Sequence, residues 1–279
     1  MKRTIIILAV ALLFTGCTDV EPDPTDVAES ALFETTETIQ QTEVTYTPTE
    51  EITVHSTENL KLNIPEGCYC ERFYYSDIDF MDYWLYIPEN ARPEMPLVIF
   101  LHGIGEVGRV DALENYGMIS RAREIYGDSF PFIALNPCVQ VKSWTYGENP
   151  KVLKALIDYI VAECEIDHDK IIITGHSLGS IGTWYMLSQY GDYFSAAVPV
   201  SCGCDEFLNY DNIAQVPINA FVGDVGTYER NYANGMQRII GLVKDAGGTG
   251  TLTILPGLTH TDTITQVYDQ DVFEWMLSQ

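Results

Sequence analysis

KIIITGHSLGSIGTWY, residues 170–185, is the stretch around which the rest of the chain is organised. The β-branched run Ile171–Thr174 ends at Gly175, and Gly179 follows four residues later with Ser177 held between them. This is GxSxG at the junction of a strand and a helix. The serine of such an elbow sits in a strained backbone conformation, and side chains at the flanking positions would collide with the neighbouring strand and helix. The spacing therefore predicts Ser177 as a nucleophile whose Oγ projects above the sheet edge. It also places the main-chain N–H of Leu178, at the start of the following helix, where a developing oxyanion would be stabilised.

Working outward, Leu97–Leu101 is a continuous apolar run of the kind found in strands buried on both faces. It ends in His102, Gly103, Ile104, Gly105 and Glu106. An HGxG turn directly after a central strand brings backbone N–H groups close to a reacting carbonyl, and His102 itself reads as a brace for that turn. Before it, Phe73–Ile87 holds two short aromatic segments that read as an antiparallel strand pair. After it, Phe132–Leu135, Ala196–Val200, Ile218–Val222 and Leu252–Leu255 read as strands. Helical patterns cover Leu113–Tyr126, Val152–Cys164, Glu229–Ala246 and Asp269–Leu277, and Asn136–Tyr146 reads as a loop. Strands alternating with helices over about 200 residues predict an α/β domain, a mostly parallel central sheet with helices on both faces.

The amino terminus has a different character. Lys2 and Arg3 precede the ten apolar residues Ile5–Phe14, followed by Thr15, Gly16 and Cys17. Ten apolar residues are too few to span a bilayer as a helix, so residues 1–17 read as an export signal. Its end resembles a bacterial lipobox, which makes Cys17 the expected lipidation site. Residues 18–65 read as an acidic tether rich in Thr, Glu and Pro, and residues 66–279 as the catalytic domain. Eleven acidic side chains and no Lys or Arg fall within 18–60, a composition that cannot bury enough apolar surface to offset chain entropy. The formal net charge of −25 argues against nucleic acid or an anionic lipid surface as partners. Membrane contact is expected only through the anchor, and the chain is expected to be a monomer.

Six further cysteines follow Cys17, at positions 68, 70, 138, 164, 202 and 204. Four of them form the CxC pairs Cys68–Cys70 and Cys202–Cys204. CxC is tighter than ordinary zinc-ligand spacing, so no metal is expected. Buried free thiols, or a disulfide joining one member of each pair, are the two readings left open.

A serine hydroxyl needs a base within hydrogen-bond reach and a carboxylate to orient that base. Of the five histidines, His55 lies in the tether, His168 precedes the elbow strand at the wrong end of the sheet, and His176 points away from Ser177 as its neighbour. His260, in PGLTHTD after the last strand, fits the order serine, acid, histidine.

At this point GHSLGSIGTWYMLSQYGDYFSAAVPVSCG, LVIFLHGIGE, AGGTGTLTILPGLTH and VFEWMLSQ together resemble the α/β-hydrolases that include feruloyl and acetylxylan esterases, polyhydroxybutyrate depolymerase-like esterases and so-called predicted peptidases. The resemblance spans about residues 72–279 and implies an α/β-hydrolase fold. It further implies Ser177 as nucleophile, His260 as base, and an oxyanion hole from main-chain N–H groups near Ile104 and Leu178. His102, Gly103, Glu106, Trp144 and His176 are expected around the substrate cleft, with Trp144 equally readable as a core plug. The acid departs from the family pattern: where relatives carry GxxD, this chain reads Gly223, Asp224, Val225, Gly226. Asp224, at the strand's carboxyl edge, is the first expectation and Glu229 the alternative. Asp262, or a Ser177–His260 dyad, completes the set. The expected activity is cofactor-free hydrolysis of small or polysaccharide-linked carboxylic esters, acetyl or feruloyl, outside the cytoplasm. Rival readings are a peptidase or lipid esterase on the same triad, or a non-catalytic binding protein that kept the fold.

Overall fold

A computed structural model describes residues 66–203 and 208–279. These lie in one compact unit. Eight strands form one sheet: β1 (Gly67–Tyr74), β2 (Phe80–Ile87), β3 (Leu97–Leu101), β4 (Ile133–Cys138), β5 (Ile171–His176), β6 (Ala196–Val200), β7 (Ile218–Gly223) and β8 (Gly250–Leu255). Their spatial order is β1-β2-β4-β3-β5-β6-β7-β8. β2 runs antiparallel to both β1 and β4, and every other pair is parallel. The helices are α1 (Met118–Tyr126), α2 (Asn149–Glu163), α3 (Leu178–Tyr190), α4 (Tyr210–Ile213), α5 (Thr227–Asp245), α6 (Thr263–Gln266) and α7 (Gln270–Leu277).

The continuous apolar runs of β3 and β5 follow from burial on both faces. Every residue of the two strands is buried. Alternate side chains serve opposite layers, as a two-residue period requires. Leu97, Ile99, Leu101, Ile171 and Ile173 join one apolar layer, with Leu153, Leu156 and Ile160 of α2, Trp184 of α3, and Met236 and Ile239 of α5. Val98, Phe100 and Ile172 join the other, with Met118 and Ile119 of α1 and Phe273 and Met276 of α7. Helices therefore cover both faces of a mostly parallel sheet, and the carboxyl ends of β3, β5, β6 and β7 converge at one edge.

Three elements differ from the sequence reading. The sequence places the antiparallel pair within Phe73–Ile87, but its first strand, β1, begins at Gly67, because Gly67–Tyr74 pairs along the whole length of β2. Asn136, Pro137 and Cys138 continue β4 instead of opening a loop, because β2 supplies an antiparallel partner through Trp84↔Asn136, Tyr83↔Pro137 and Asp82↔Cys138. Pro137 is tolerated there because pairing of β4 with β3 has already ended at Ile99↔Leu135. The pattern over 113–126 resolves into a 3-10 turn at Val110–Leu113 and α1 beginning at Met118.

The CxC pairs do not meet. Cys68 and Cys70 lie on β1 at the sheet edge, whereas Cys202 follows β6. Five strand spacings separate β1 from β6, or about 24 Å, far beyond the reach of a disulfide. Cys68, Cys70, Cys138 and Cys164 are free thiols, but Cys70 is exposed and Cys68 half-buried, so the buried-thiol reading holds for Cys138 and Cys164. Cys204 lies outside the described residues, as do Cys17, the signal and the tether through residue 65.

Candidate active site

The elbow has the geometry its glycines require. Ser177 sits at φ 56, ψ −117, between the end of β5 and the first residue of α3. Its N–H donates to Val200 O on β6 at 3.0 Å, and its carbonyl accepts from the N–H groups of Ser180 and Ile181. A Cβ on Gly175 would lie 2.4 Å from Gly179 O, and one on Gly179 would lie 1.9 Å from Leu101 O. Both positions exclude a side chain, and the second clash shows how closely the start of α3 packs on the end of β3.

That close approach brings the HGxG turn to the elbow. A Cβ on Gly103 would stand 3.8 Å from His176 O, so the turn lies over the peptide leading into Ser177. Ile104 opens the 3-10 turn Ile104–Glu106, and Leu178 opens α3. The amides at both positions are first-turn N–H groups, which have no acceptor inside their own helix. Glu106 is half-buried with its Oε2 3.4 Å from the Gly103 Cβ position. Burial raises its carboxyl above the usual range, partly offset by a hydrogen bond from Tyr116.

His260 lies in the segment between β8 and α6. Its Nδ1 is 2.6 Å from Glu229 Oε1. Glu229 is buried at 1% exposure although it stands in the first turn of α5. Its other oxygen accepts from Gly223 N at 2.6 Å and from Ser201 Oγ at 3.0 Å. Gly223 makes this possible, because a Cβ there would come within 2.9 Å of Glu229 Oε2. The His260 ring also lies tilted against His176, with centroids 4.6 Å apart, and against Tyr232 of α5 at 5.5 Å.

Asp224 is not the carboxylate that reaches His260. Its side chain is exposed, and its Oδ1 accepts from Gly257 N at 2.7 Å, outside the cluster. Asp262 is likewise occupied, accepting from the N–H and hydroxyl of Thr259 at 2.9 and 2.6 Å. Those two donors hold its carboxyl below the usual range.

The expected cleft residues divide. His102 is fully buried: its Nδ1 is 2.6 Å from Gly103 O and its Nε2 accepts from Val139 N at 3.1 Å. This is the bracing role, and burial lowers its pKa to about 4. Trp144 is a core plug and not a cleft wall, 1% exposed, with its indole N–H donating to His102 O at 3.0 Å. His176 is buried as well, its Nε2 2.9 Å from His260 O, so it holds the His260 backbone and does not line a cleft. Gly103 and Glu106 remain beside the elbow. Ser201 and Thr263, which tie Glu229 to the His260 segment, belong to no sequence motif. The one hint in the chain is that Ser201 directly follows a parallel strand, at the edge where functional groups gather.

Among the described residues no group of three or more His, Cys, Asp or Glu side chains is arranged to hold a metal ion. No helix among them is long and apolar enough to cross a membrane.

No protein-family model matches the sequence. Over 124 residues the chain is 27% identical to the bifunctional acetylxylan esterase/xylanase XynS20E of Neocallimastix patriciarum, covering 43% of this chain and 18% of that protein. Over 125 residues it is 23% identical to poly(3-hydroxyalkanoate) depolymerase C of Paucimonas lemoignei, covering 42% and 30%. An uncharacterized secreted protein of Arthroderma benhamiae is 29% identical over 129 residues, 44% of this chain and 13% of that one. The chain thus spans less than a third of each of these relatives. Among solved structures, a thermostable esterase aligns with a TM-score of 0.64 at 28% identity, over 76% of this chain and 63% of that one. The feruloyl esterase module of Clostridium thermocellum aligns with a TM-score of 0.57 at 16% identity, over 74% and 86%. The sheet order, the helices on both faces and these alignments establish the α/β-hydrolase fold.

Proposed function

We propose that this α/β-hydrolase domain is a serine hydrolase that cleaves carboxylic esters through an acyl-enzyme, with Ser177, His260 and Glu229 as the triad. The observation that carries the reading is the 2.6 Å contact between buried Glu229 and His260 Nδ1, at the sheet edge that bears the strained Ser177. With Nδ1 committed to Glu229, Nε2 is the nitrogen that takes the Ser177 proton as Oγ attacks the ester carbonyl. Glu229 then stabilises the imidazolium, and the amides of Ile104 and Leu178 receive the oxyanion. His260 returns the proton to the departing alcohol, and water repeats the sequence on the acyl-enzyme. Main-chain donors supply the electrophilic stabilisation, so the scheme calls on no cofactor.

Acetyl or feruloyl esters of polysaccharide are the proposed substrates, supported by the acetylxylan esterase match and the feruloyl esterase alignment. Export and lipidation at Cys17 are proposed from the amino-terminal pattern, and the secreted relative supports export. A non-catalytic role would leave a buried carboxylate aligned on a histidine without use. Reaction with a fluorophosphonate probe separates the two: labelling that maps to Ser177 is expected, and an unlabelled protein would remove the proposal. A panel of acetyl, feruloyl, lipid and peptidyl substrates then ranks the acyl group, and cleavage of the peptidyl members alone would overturn the ester assignment.

A further inference from the structure

Behind the Glu229–His260 pair lies a buried hydroxyl pair that the triad itself does not need. Ser201, immediately after β6, is fully buried at φ 53, a left-handed conformation disfavoured for a non-glycine residue. Its Oγ is 3.0 Å from Glu229 Oε2 and 2.7 Å from Thr263 Oγ1. Thr263, equally buried at the start of α6, has its Oγ1 2.8 Å from His260 O and 3.3 Å from His176 Nε2. His176 Nε2 is in turn 2.9 Å from the same carbonyl.

The hydrogens available select the direction of this chain. Ser201 and Thr263 have one hydroxyl hydrogen each, and Glu229 and His260 O can only accept. A hydrogen bond to a buried carboxylate is stronger than one to a neutral oxygen, so the Ser201 hydrogen goes to Glu229. The Thr263 hydrogen lies between its two acceptors, Ser201 Oγ at 2.7 Å and His260 O at 2.8 Å, and His176 Nε2–H donates to the same carbonyl. His176 is thereby fixed as the neutral Nε2–H tautomer, its buried Nδ1 having no hydrogen-bond partner among the described residues, in keeping with the lowering of its pKa by burial and by the neighbouring His260.

We infer that Ser201 and Thr263 are positioning residues, a hydroxyl relay that holds the Glu229 carboxylate and the His260 backbone in register so that carboxylate and base stay aligned during turnover. The inference rests on the serine-hydrolase reading above. Two observations favour a functional origin over packing alone. The relay ties three separate elements, β6, α5 and α6, at one point, and it does so through a non-glycine residue kept at positive φ. Such strain persists only where surrounding contacts over-determine it.

The relay predicts a pH signature. Titratable groups facing His260 are Glu229 and Tyr232 from α5 and His176 from β5, with Asp262 on its own segment turned onto Thr259. Removing the Ser201 donor leaves more of the Glu229 charge for the imidazolium, which favours the protonated, inactive base. The acid limb of the fluorophosphonate labelling rate should then move up by about one pH unit, near tenfold at a pH on that limb. Ser201→Gly removes the hydroxyl and relieves the positive φ, so it folds without backbone cost, whereas Ser201→Ala keeps the strain. Both are expected to show the same shift in the full-length protein despite different melting temperatures. Thr263→Val should shift the limb in the same direction, and Thr263→Ser, which keeps the hydroxyl, should restore it. A parent that labels at Ser177 while Ser201→Gly or Thr263→Val leaves the limb unmoved overturns the relay alone. A parent that does not label at Ser177 removes the serine-hydrolase reading and the relay with it.

Discussion

Glu229 Oε1 stands 2.6 Å from His260 Nδ1 although 31 residues separate them, and the carboxylate side chain is 1% exposed where the imidazole is 25% exposed. The acid side of the pair is sealed from water, and the exposure of His260 comes from side-chain atoms other than Nε2, which is itself buried. A carboxylate shielded in this way keeps its charge for the imidazole it faces.

The first prediction compares the two carboxylates. Glu229→Gln keeps the shape but cannot hold the Nδ1–H tautomer, so turnover should fall roughly 10³- to 10⁴-fold with the fold retained. Asp224→Asn disturbs only the exposed bond to Gly257 N and should change turnover by less than about threefold. Hydrolysis of p-nitrophenyl acetate by the two variants, side by side, is the measurement. A steep loss at Asp224 with a mild one at Glu229 would reverse the assignment.

Ser177→Ala should fold as the parent does, since alanine replaces a side chain whose backbone bonds to Val200, Ser180 and Ile181 remain. Turnover should drop about 10⁴-fold or more. Near-normal hydrolysis by this variant, with circular dichroism unchanged, would take the nucleophile away from Ser177.

Trp144 distinguishes a plug from a wall. Its side chain packs on Gly182 of α3, where an added Cβ would lie 2.7 Å from both Trp144 Cβ and Cγ. Trp144→Ala should therefore lower stability by about 3–5 kcal/mol in urea unfolding. Gly182→Ala should also destabilise, by about 1–3 kcal/mol, through overpacking. If Trp144→Ala instead raised KM while leaving unfolding unchanged, the tryptophan would belong to the substrate cleft.

Acid sensitivity of the fold follows from His102. Burial lowers its pKa from the ordinary 6.5 to about 4, so between these values the unfolded chain binds the proton and the folded one does not. Stability is thus fully present above about pH 6.5 and falls as the pH drops toward 4, by about 3 kcal/mol at most for this one group. His102→Gln removes the titration while keeping a polar side chain, so its melting temperature should depend less steeply on pH across that window. Equal slopes for parent and variant would mean that other groups, such as buried His176, account for the acid sensitivity.

Sequence alone determined the sheet core, the elbow and the position of His260 after the last strand. The apolar runs 97–101 and 171–174 have one physical use, burial on both faces, and GxSxG at a strand end admits one backbone path because the contacts at Gly175 and Gly179 leave no room for a Cβ. His260 was legible because it follows the last strand, and the other histidines lie elsewhere in the chain order. What only the tertiary structure decided was which groups meet across the strand ends. Asp224 is nearer to the strand in sequence, but its carboxylate is turned out onto Gly257, while the docking of α5 drops Glu229 into the space that Gly223 leaves open. Neighbourhood along the chain does not fix the direction of a side chain at the end of a strand. That direction depends on where the next helix packs, and the contacts through Ser201 and Thr263 follow from the same docking. The strand order, which residue patterns along the chain do not give, is what sets Cys202 five strands from Cys68 and Cys70.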